Sequence, residues 1–202
     1  MIEDVTPWQL LVAAVVGFVV GSVNPATLIA RARGVNLRNV GSGNPGATNT
    51  ARALGARTGV IVGVIDVLKG LIPAVGFSFW GPAAGEIAGL AAVLGHIFSP
   101  FLRGRGGKGV ATTLGAVLGV QPLWALPMLG AFGVVFVLTR KMGIGAVAGA
   151  VTLIGLGIWA TDDVSERWFG IVLGVIVIVR HQVNIRAALT GTPAPDGDDE
   201  RP

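Results

Sequence analysis

Long apolar stretches alternate with short polar or glycine-rich segments along most of the chain. A helix needs about 20 apolar residues to cross the hydrocarbon core of a bilayer, and such stretches follow one another from Leu10 to Arg180. The pattern predicts an all-α integral membrane protein, a compact bundle of seven transmembrane helices. The fourth and fifth predicted helices are short, and Pro122 at their junction is compatible with a tight hairpin or a partly re-entrant element. The predicted spans are residues 8–30, 59–80, 84–102, 108–121, 122–139, 143–160 and 168–185.

The composition agrees with this pattern, because 52% of the 202 residues are hydrophobic, only 13% are charged and the mean hydropathy is +0.72. The spans leave no room for a second, soluble domain, so residues 1–190 are predicted to form one membrane-embedded domain. Residues 191–202 are rich in proline, glycine and acidic side chains, a composition typical of disordered tails. The start "MIEDVTPW" has no basic residue, unlike a cleaved signal peptide, so we expect the first span to be retained.

Basic residues decide the predicted orientation, because cytoplasmic loops accumulate Lys and Arg. One side of the predicted bundle has only Arg167, with acidic residues around it. With seven spans, or with five if the short pair does not cross, all the remaining basic loops lie on the opposite side. The N-terminus is therefore predicted outside and the C-terminus inside. The basic residues of the predicted cytoplasmic side are Arg31, Arg33, Arg38, Arg52, Arg57, Arg103, Arg105, Lys108, Arg140, Lys141, Arg180 and Arg186.

The first cytoplasmic loop contains "GSGNPGATNTAR", residues 41–52, which has almost no apolar side chain. Glycine permits backbone conformations in which successive N–H groups converge on an oxyanion, and Gly41, Gly43 and Gly46 supply this freedom. An arginine fork suits a phosphate. A turn followed by helix caps would have a similar sequence, so the pattern is compatible with a phosphate site or with a plain connector. The polar side chains available here are Ser42, Thr48, Asn49, Thr50 and Arg52.

A second loop, "RGRGGKG" at residues 103–109, alternates basic residues with glycines directly before a predicted helix. The N-terminal amides of a helix attract anions, so this arrangement favours phosphate binding. It differs from a Walker motif, because Gly109 follows Lys108 where that motif requires Ser or Thr. A loop that only fixes membrane orientation would explain the charges but not the interleaved glycines.

Charged and polar residues also occur within the apolar segments. Asp66 and Lys69 lie three residues apart on one helical face, either as an ion pair or as part of a substrate site. Near the cytoplasmic end of the last span, His181 and Asn184 lie on one predicted helical face. With Arg186, they are compatible with a polar site or with contacts to the helix dipole and lipid headgroups. Many glycines lie inside the spans, where small residues allow close helix packing.

Few side chains of this chain can act as acids, bases or nucleophiles. Cysteine is absent, which excludes a cysteine nucleophile, a disulfide framework and a thiolate metal site. Only His96 and His181 can accept a proton near neutral pH. Acyl transfer from a mixed anhydride needs little acid–base power, because phosphate is a good leaving group whose charge basic residues stabilise. The sequence therefore favours a phosphate-bearing substrate handled at the membrane surface.

Four blocks in a specific order support a closer assignment: "GSVNPATLIARARGVNLRNVGSGNPGATNTARALG", "DVLKGLIPA", "VLGHIFSPFLRGRGGKGVATTLG" and "HQVNIRAALTG". In these blocks the chain resembles the bacterial acyl-phosphate:glycerol-3-phosphate acyltransferases, the PlsY family. The resemblance implies a seven-helix fold with its active site at the cytoplasmic face of the cell membrane. It also implies transfer of an acyl chain from acyl phosphate to the sn-1 hydroxyl of glycerol 3-phosphate, which gives lysophosphatidic acid for phospholipid synthesis. The expected partners are these substrates and membrane lipid, with no acyl-CoA, cofactor, metal ion or nucleic acid.

The resemblance and the loop patterns together define two groups of candidate site residues. The resemblance implies that Lys108 and Arg52 neutralise phosphates while Ser42 and Asn184 orient the reacting groups. The hydroxyl proton passes to the donor phosphate or to a histidine. The candidate catalytic residues are Ser42, Lys108, His181 and Asn184. The candidate substrate- and phosphate-binding residues are Gly41, Gly43, Asn44, Thr48, Asn49, Arg52, His96, Arg105, Gly106 and Gly107.

The chain departs from the family pattern in two places. After the fifth span the family has a sequence like "YVSLAS", whose serines help to line the site, whereas Gly143 and Ala146 stand there in this chain. In the closing motif the family has an Arg after the His, another Arg three residues after the Asn, and a final Glu. Gln182, Ala187 and Pro193 occupy those places here. The glycine-rich blocks are intact, so these departures bear mainly on the acceptor.

Other functions are compatible with parts of the sequence. Acyltransferases with a His-x4-Asp motif are excluded, because Phe101 follows His96 at that spacing and no Asp follows His181 within reach. A small anion transporter with broken glycine-rich helices would explain the basic loops. Such a transporter would not favour the acidic residues predicted on the outer side. A diverged membrane acyltransferase with another acceptor is the third alternative.

Overall fold

The computed structural model describes residues 5–192, and this part of the chain forms ten α-helices with no β-strand. Single turns of 3-10 helix lie at Leu37–Asn39, Pro100–Leu102 and Pro122–Trp124. Of the predicted disordered tail, residues 191–202, positions 193–202 lie outside the described residues. The helices are α1 Pro7–Ser22, α2 Pro25–Ala32, α3 Ala47–Leu54, α4 Ala56–Ser78, α5 Pro82–Phe98, α6 Val110–Val120, α7 Ala125–Thr139, α8 Met142–Trp159, α9 Val164–Arg180 and α10 Gln182–Thr190.

Five stretches of these helices are long and apolar enough to cross a membrane, which confirms the all-α membrane class. Helices α9 and α10 make a sixth if the pair, bent by 57°, is one span. Helix α6 is apolar but has only 11 residues, about 16 Å at 1.5 Å per residue, which is shorter than the hydrocarbon core. The five stretches are Pro7–Ala32, Ala56–Ser78, Pro82–Leu102, Pro122–Thr139 and Met142–Trp159.

Two details of the predicted helix pattern are corrected. Helices α6 and α7 do not form a tight hairpin, because α6 packs against α4 and α5 while α7 packs against α8. The predicted last span, 168–185, is broken at His181, whose φ of −105° and ψ of 12° are not helical. His181 Nδ1 donates to the Val177 carbonyl oxygen at 2.8 Å, and the buried ring holds the bend. His181 and Asn184 therefore do not lie on one face of a straight helix.

Helix α5 is central, because it packs against α1, α4, α6 and α9. The contacts to α1 are backbone to backbone: a Cβ atom at Gly21 would collide with the Ala92 carbonyl, and one at Gly95 with the Phe18 carbonyl. The same holds between α4 and α6, where Gly70 meets the Thr112 carbonyl. The expected role of glycine in close helix packing is thus confirmed at these contacts.

The outward faces of the helices are apolar, while most buried polar groups lie toward one end. Large exposed side chains such as Val60, Ile72 and Val137 cover the outside, as a lipid solvent requires. The buried polar residues include Asp66, Lys69, Asn49, His96, His181 and Asn184.

The glycine contact between α4 and α6 generates a stability prediction. Gly70→Ala places a methyl group against the Thr112 carbonyl, so we expect a loss of about 1–3 kcal/mol of unfolding free energy. Gly76→Ala on the same helix is the matched control, since a Cβ atom added there has no neighbouring group within 4 Å apart from the helix's own backbone. Thermal unfolding of the purified protein in detergent measures both. Equal melting temperatures for the two variants would contradict the packing role.

Candidate active site

A cavity of about 310 Å³ opens at the end of the bundle where α3, α6 and α8 begin and where α5 and α9 end. Most of its wall is apolar, and polar side chains line one part of it. Helices α6 to α9 supply most of the apolar part. The polar lining includes Ser42, Asn44, Thr48, Asn49, Asp66, His96, Lys108, Thr113 and His181. The apolar lining includes Leu114, Met128, Leu129, Phe132, Leu153 and Val177.

Three helix N-termini meet at the polar part of this cavity. Residues 46–48 at the start of α3, 109–111 at the start of α6 and 142–143 at the start of α8 all line it. The first N–H groups of a helix have no intrahelical acceptor, and the helix dipole adds positive potential there. Helix N-termini of this kind favour anions.

Lys108 joins the basic loop to the last helix. Its Nζ donates to Asn184 Oδ1 at 2.8 Å, across 76 positions of sequence. Arg180, one turn before Asn184, donates from Nη2 to the Gly107 carbonyl oxygen at 3.2 Å. The start of α10 thus holds the ammonium group of Lys108 at the cavity wall, and the end of α9 holds the neighbouring backbone at Gly107.

Gly106 and Gly107 hold this loop on the end of α5. The N–H of Gly106 donates to the Ile97 carbonyl at 2.8 Å, and that of Gly107 to the His96 carbonyl at 3.2 Å. A Cβ atom at Gly107 would collide with the imidazole of His96. The expectation that these amides bind phosphate therefore does not match the geometry, because both are engaged within the protein. Their glycine identity is explained by close approach instead.

The first glycine-rich segment forms one wall of the cavity. Gly41 and Gly43 have φ values of +50° and +66°, the conformation for which glycine was expected there. The N–H of Asn44 donates to Ser42 Oγ at 3.3 Å, so these two cavity residues form a local turn. The segment then ends at Gly46, where α3 begins. It is thus both a connector with a helix start and a wall of the cavity.

Some predicted site residues lie outside the cavity lining. Arg52 is exposed, and its side chain lies against Gly41 at the edge of the segment. Arg105 lines a different groove, on the other side of Pro45. The structure therefore brings together Ser42, Asn44, Thr48, Asn49, His96, Lys108 and His181 in the lining, with Asn184 in contact through Lys108.

Asp66 and Lys69 form the expected ion pair, with Lys69 Nζ 2.8 Å from Asp66 Oδ1. Lys69 also donates to the Val23 carbonyl at 2.9 Å. Sequence reasoning missed that Asp66 Oδ1 lies 3.5 Å from His96 Nδ1, so that both residues line the cavity. The 30 positions between them offer no local signal for this contact. Their exposed fractions of 2% and 4% make this a buried charged cluster within the polar part of the wall.

The hydrogen bond of His181 determines which ring nitrogen accepts a proton. Its Nδ1 lies 2.8 Å from the Val177 carbonyl, which can only accept, so Nδ1 bears the hydrogen. In a neutral ring Nε2 is then the acceptor nitrogen, and the residue lines the cavity.

Gly143 and Ala146, the two positions of α8 at which the chain departs from the family pattern, both line the cavity. A Cβ atom at Gly143 would collide with the side-chain amide of Asn184. The missing side chain therefore lets Asn184 lie directly against α8, in reach of Lys108.

The fold and the cavity define the class: a multi-pass helical membrane protein with a cavity that is polar at one end and apolar over the rest of its wall. Residues 11–191 match the family model described as glycerol-3-phosphate acyltransferase. The chain therefore belongs to the glycerol-3-phosphate acyltransferase family.

Individual relatives agree with this assignment. The glycerol-3-phosphate acyltransferase of Geobacter sulfurreducens is 42% identical over 186 residues, 90% of this chain and 95% of the relative. That of Aquifex aeolicus is 38% identical over 189 residues, 91% and 97% of the two chains. The crystal structure of PlsY, an integral membrane glycerol 3-phosphate acyltransferase, in its glycerol 3-phosphate form superposes with a TM-score of 0.85 and 39% identity. The match covers 90% of this chain and 92% of that one.

The buried charged cluster generates a second stability prediction. Asp66→Ala leaves Lys69 charged and buried without its carboxylate, which typically costs about 3–5 kcal/mol. The double variant Asp66→Ala/Lys69→Met removes both charges and is expected to recover most of that loss. Thermal or denaturant unfolding in detergent compares the three proteins. A double variant as unstable as the single one would show that the pair is not the origin of the effect.

Proposed function

We propose that this protein transfers an acyl chain from acyl phosphate to the sn-1 hydroxyl of glycerol 3-phosphate, giving lysophosphatidic acid and phosphate. The observation that supports this most is the meeting of three helix N-termini and Lys108 at the polar end of an otherwise apolar cavity. An acyl phosphate has this division of polarity. Two solved relatives, at 39% and 36% identity, are glycerol 3-phosphate acyltransferases in a glycerol 3-phosphate form and a lysophosphatidic acid form.

In this proposal the acyl chain lies along Leu114, Met128 and Phe132. Burial of its methylene groups contributes about 0.8 kcal/mol each, which anchors the donor. The donor phosphate then lies at the starts of α3, α6 and α8, with Lys108 neutralising it. Arg52, at the outer edge beside Gly41, is suited to the phosphate of the incoming acceptor.

The chemical step replaces one carbon–oxygen bond with another. The acceptor hydroxyl oxygen attacks the acyl carbonyl carbon, and the bond from that carbon to the phosphate oxygen breaks. The electron pair leaves with phosphate, and Lys108 and the helix dipoles stabilise the charge. The hydroxyl proton goes to His181 Nε2 or to the departing phosphate. Ser42, which lines the cavity, and Asn184, which is hydrogen-bonded to Lys108, orient the reacting groups.

We also propose the membrane arrangement. The five long spans, α6 and the bent α9–α10 pair make seven crossings, with the N-terminus outside. Basic residues at the cavity end of the bundle support a cytoplasmic active site in a bacterial cell membrane. The chain would act as one membrane-embedded domain over residues 1–190, in the first step of phospholipid synthesis.

The donor and acceptor are tested with purified protein in detergent or lipid. We expect lysophosphatidic acid and free phosphate to form from acyl phosphate plus glycerol 3-phosphate, because the polar part of the cavity suits a phosphate leaving group. Mass spectrometry of the lipid product and a phosphate assay measure the two products. Glycerol and acyl-CoA are the control acceptor and donor.

Other outcomes of this assay have specific meanings. Activity with acyl-CoA but not with acyl phosphate would refute the proposed donor. Acylation of a different acceptor only would identify a diverged acyltransferase, in line with Gly143 and Ala146 in the cavity wall. No acylation, together with labelled phosphate crossing the membrane of sealed vesicles, would favour a transporter.

Lys108→Ala tests the charge stabilisation directly. Loss of its ammonium group from the cavity wall is expected to lower kcat at least about 100-fold. The melting temperature is expected to change little, since the basic loop remains held by Gly106 and Gly107. Arg57→Ala removes an exposed cation outside the cavity lining and serves as the control. Comparable rates for the two variants would exclude Lys108 from catalysis.

A further inference from the structure

A second concave surface, the arginine groove, lies beside the active-site cavity and has a volume of about 820 Å³. The end of α2, the following loop and the turn after α5 form its walls. Residue Pro45 lines the groove, whereas its neighbours Asn44 and Gly46 line the active-site cavity. One loop thus separates the two. The side chains used below are Arg31, Arg38, Arg103, Arg105, Phe101 and Leu102.

Four arginines line the groove, and no carboxylate is among the lining residues in the described part of the chain. The Arg38 side chain is bound to backbone: its Nη1 donates to the Gly43 carbonyl at 3.1 Å, and its Nη2 donates to the Arg105 carbonyl. Partial burial, with the nearby cations Arg105 and Arg180, lowers the pKa of the Arg38 guanidinium. The positive charges of the groove are thus crowded and lack a neutralising partner in its wall.

The groove is also partly apolar, and it lies at the end of a span. The turn Pro100–Leu102 closes the third membrane-spanning stretch, Pro82–Leu102. Phe101 on this turn is 68% exposed, and Leu102 lies beside it in the groove lining. A residue at the end of a membrane-spanning stretch lies near the depth of the lipid headgroups. The groove therefore combines arginine forks with apolar contacts at the membrane surface.

We propose that the arginine groove binds the phosphate headgroup of an anionic membrane lipid, separately from the substrates of the active site. Guanidinium groups pair with phosphate oxygens through parallel hydrogen bonds. Phe101 and Leu102 cover the first carbons of the lipid chains. The binding does not rest on the proposed acyl donor or acceptor, because the groove and the cavity share a loop but no lining residue.

The test uses purified protein in a nonionic detergent, with lipid binding measured by native mass spectrometry. The probes are phosphatidylglycerol, phosphatidylcholine and inorganic phosphate. The groove variant is Arg31→Gln/Arg103→Gln, which removes two charges that line the groove but not the cavity. The matched control is Arg57→Gln/Arg140→Gln, which removes two exposed charges outside the groove.

We expect the wild type and the control to retain phosphatidylglycerol in preference to phosphatidylcholine. The groove variant is expected to bind phosphatidylglycerol at least about tenfold more weakly, because two of the four guanidinium groups that line the groove are removed. Acyl transfer in the same detergent is expected to stay within about twofold in both variants, a change below 1 kcal/mol.

Three results would overturn the proposal. The first is equal phosphatidylglycerol binding by the groove variant and the control. The second is an equally tight, groove-dependent binding of inorganic phosphate, which would identify a free anion as the ligand. The third is loss of acyl transfer in the groove variant alone, which would assign these arginines to the reaction. Absence of acyl transfer in all three proteins would refute the proposed function but leave the lipid measurement intact.

Discussion

The basic loop before α6 is held on the end of α5 by backbone hydrogen bonds from Gly106 and Gly107, and the site depends on this contact. It fixes where α6 begins, and so where the helix dipole points. It places Lys108 Nζ 2.8 Å from Asn184 Oδ1. It also covers the His96 ring that faces Asp66. A larger residue at position 107 would displace the His96 ring. The two glycines thus determine both the local backbone and the position of a cavity side chain.

Glycine has different physical uses in different parts of this protein. Within the bundle it lets helix backbones touch, as at Gly21 and Gly70, where lipid offers no hydrophobic force to drive association. In the first loop it permits a positive φ, as at Gly41. At Gly143 it leaves room for the Asn184 side chain. A glycine count alone cannot separate these uses, because each depends on which atoms approach the missing Cβ.

The predicted site was partly recovered by the fold. Ser42, Thr48, Lys108 and His181 come from three separate segments and line one cavity, as the grouping of polar segments at one end suggested. The break at His181, the contact of Asp66 with His96 and the position of Arg105 in another groove were not predictable. Each depends on the rotation of one helix against another. Hydropathy does not encode that rotation here, because lipid-facing and protein-facing sides are both apolar.

Residue order alone was enough for the membrane class and for the approximate limits of the long apolar helices. These follow from the cost of placing polar groups in hydrocarbon, which acts on each segment by itself. The meeting of three helix N-termini, the pairing of Lys108 with Asn184 and the division of basic loops between a cavity and a groove required the tertiary structure. They arise from backbone approach between segments far apart in the chain, and pattern along one segment contains no information about that distance.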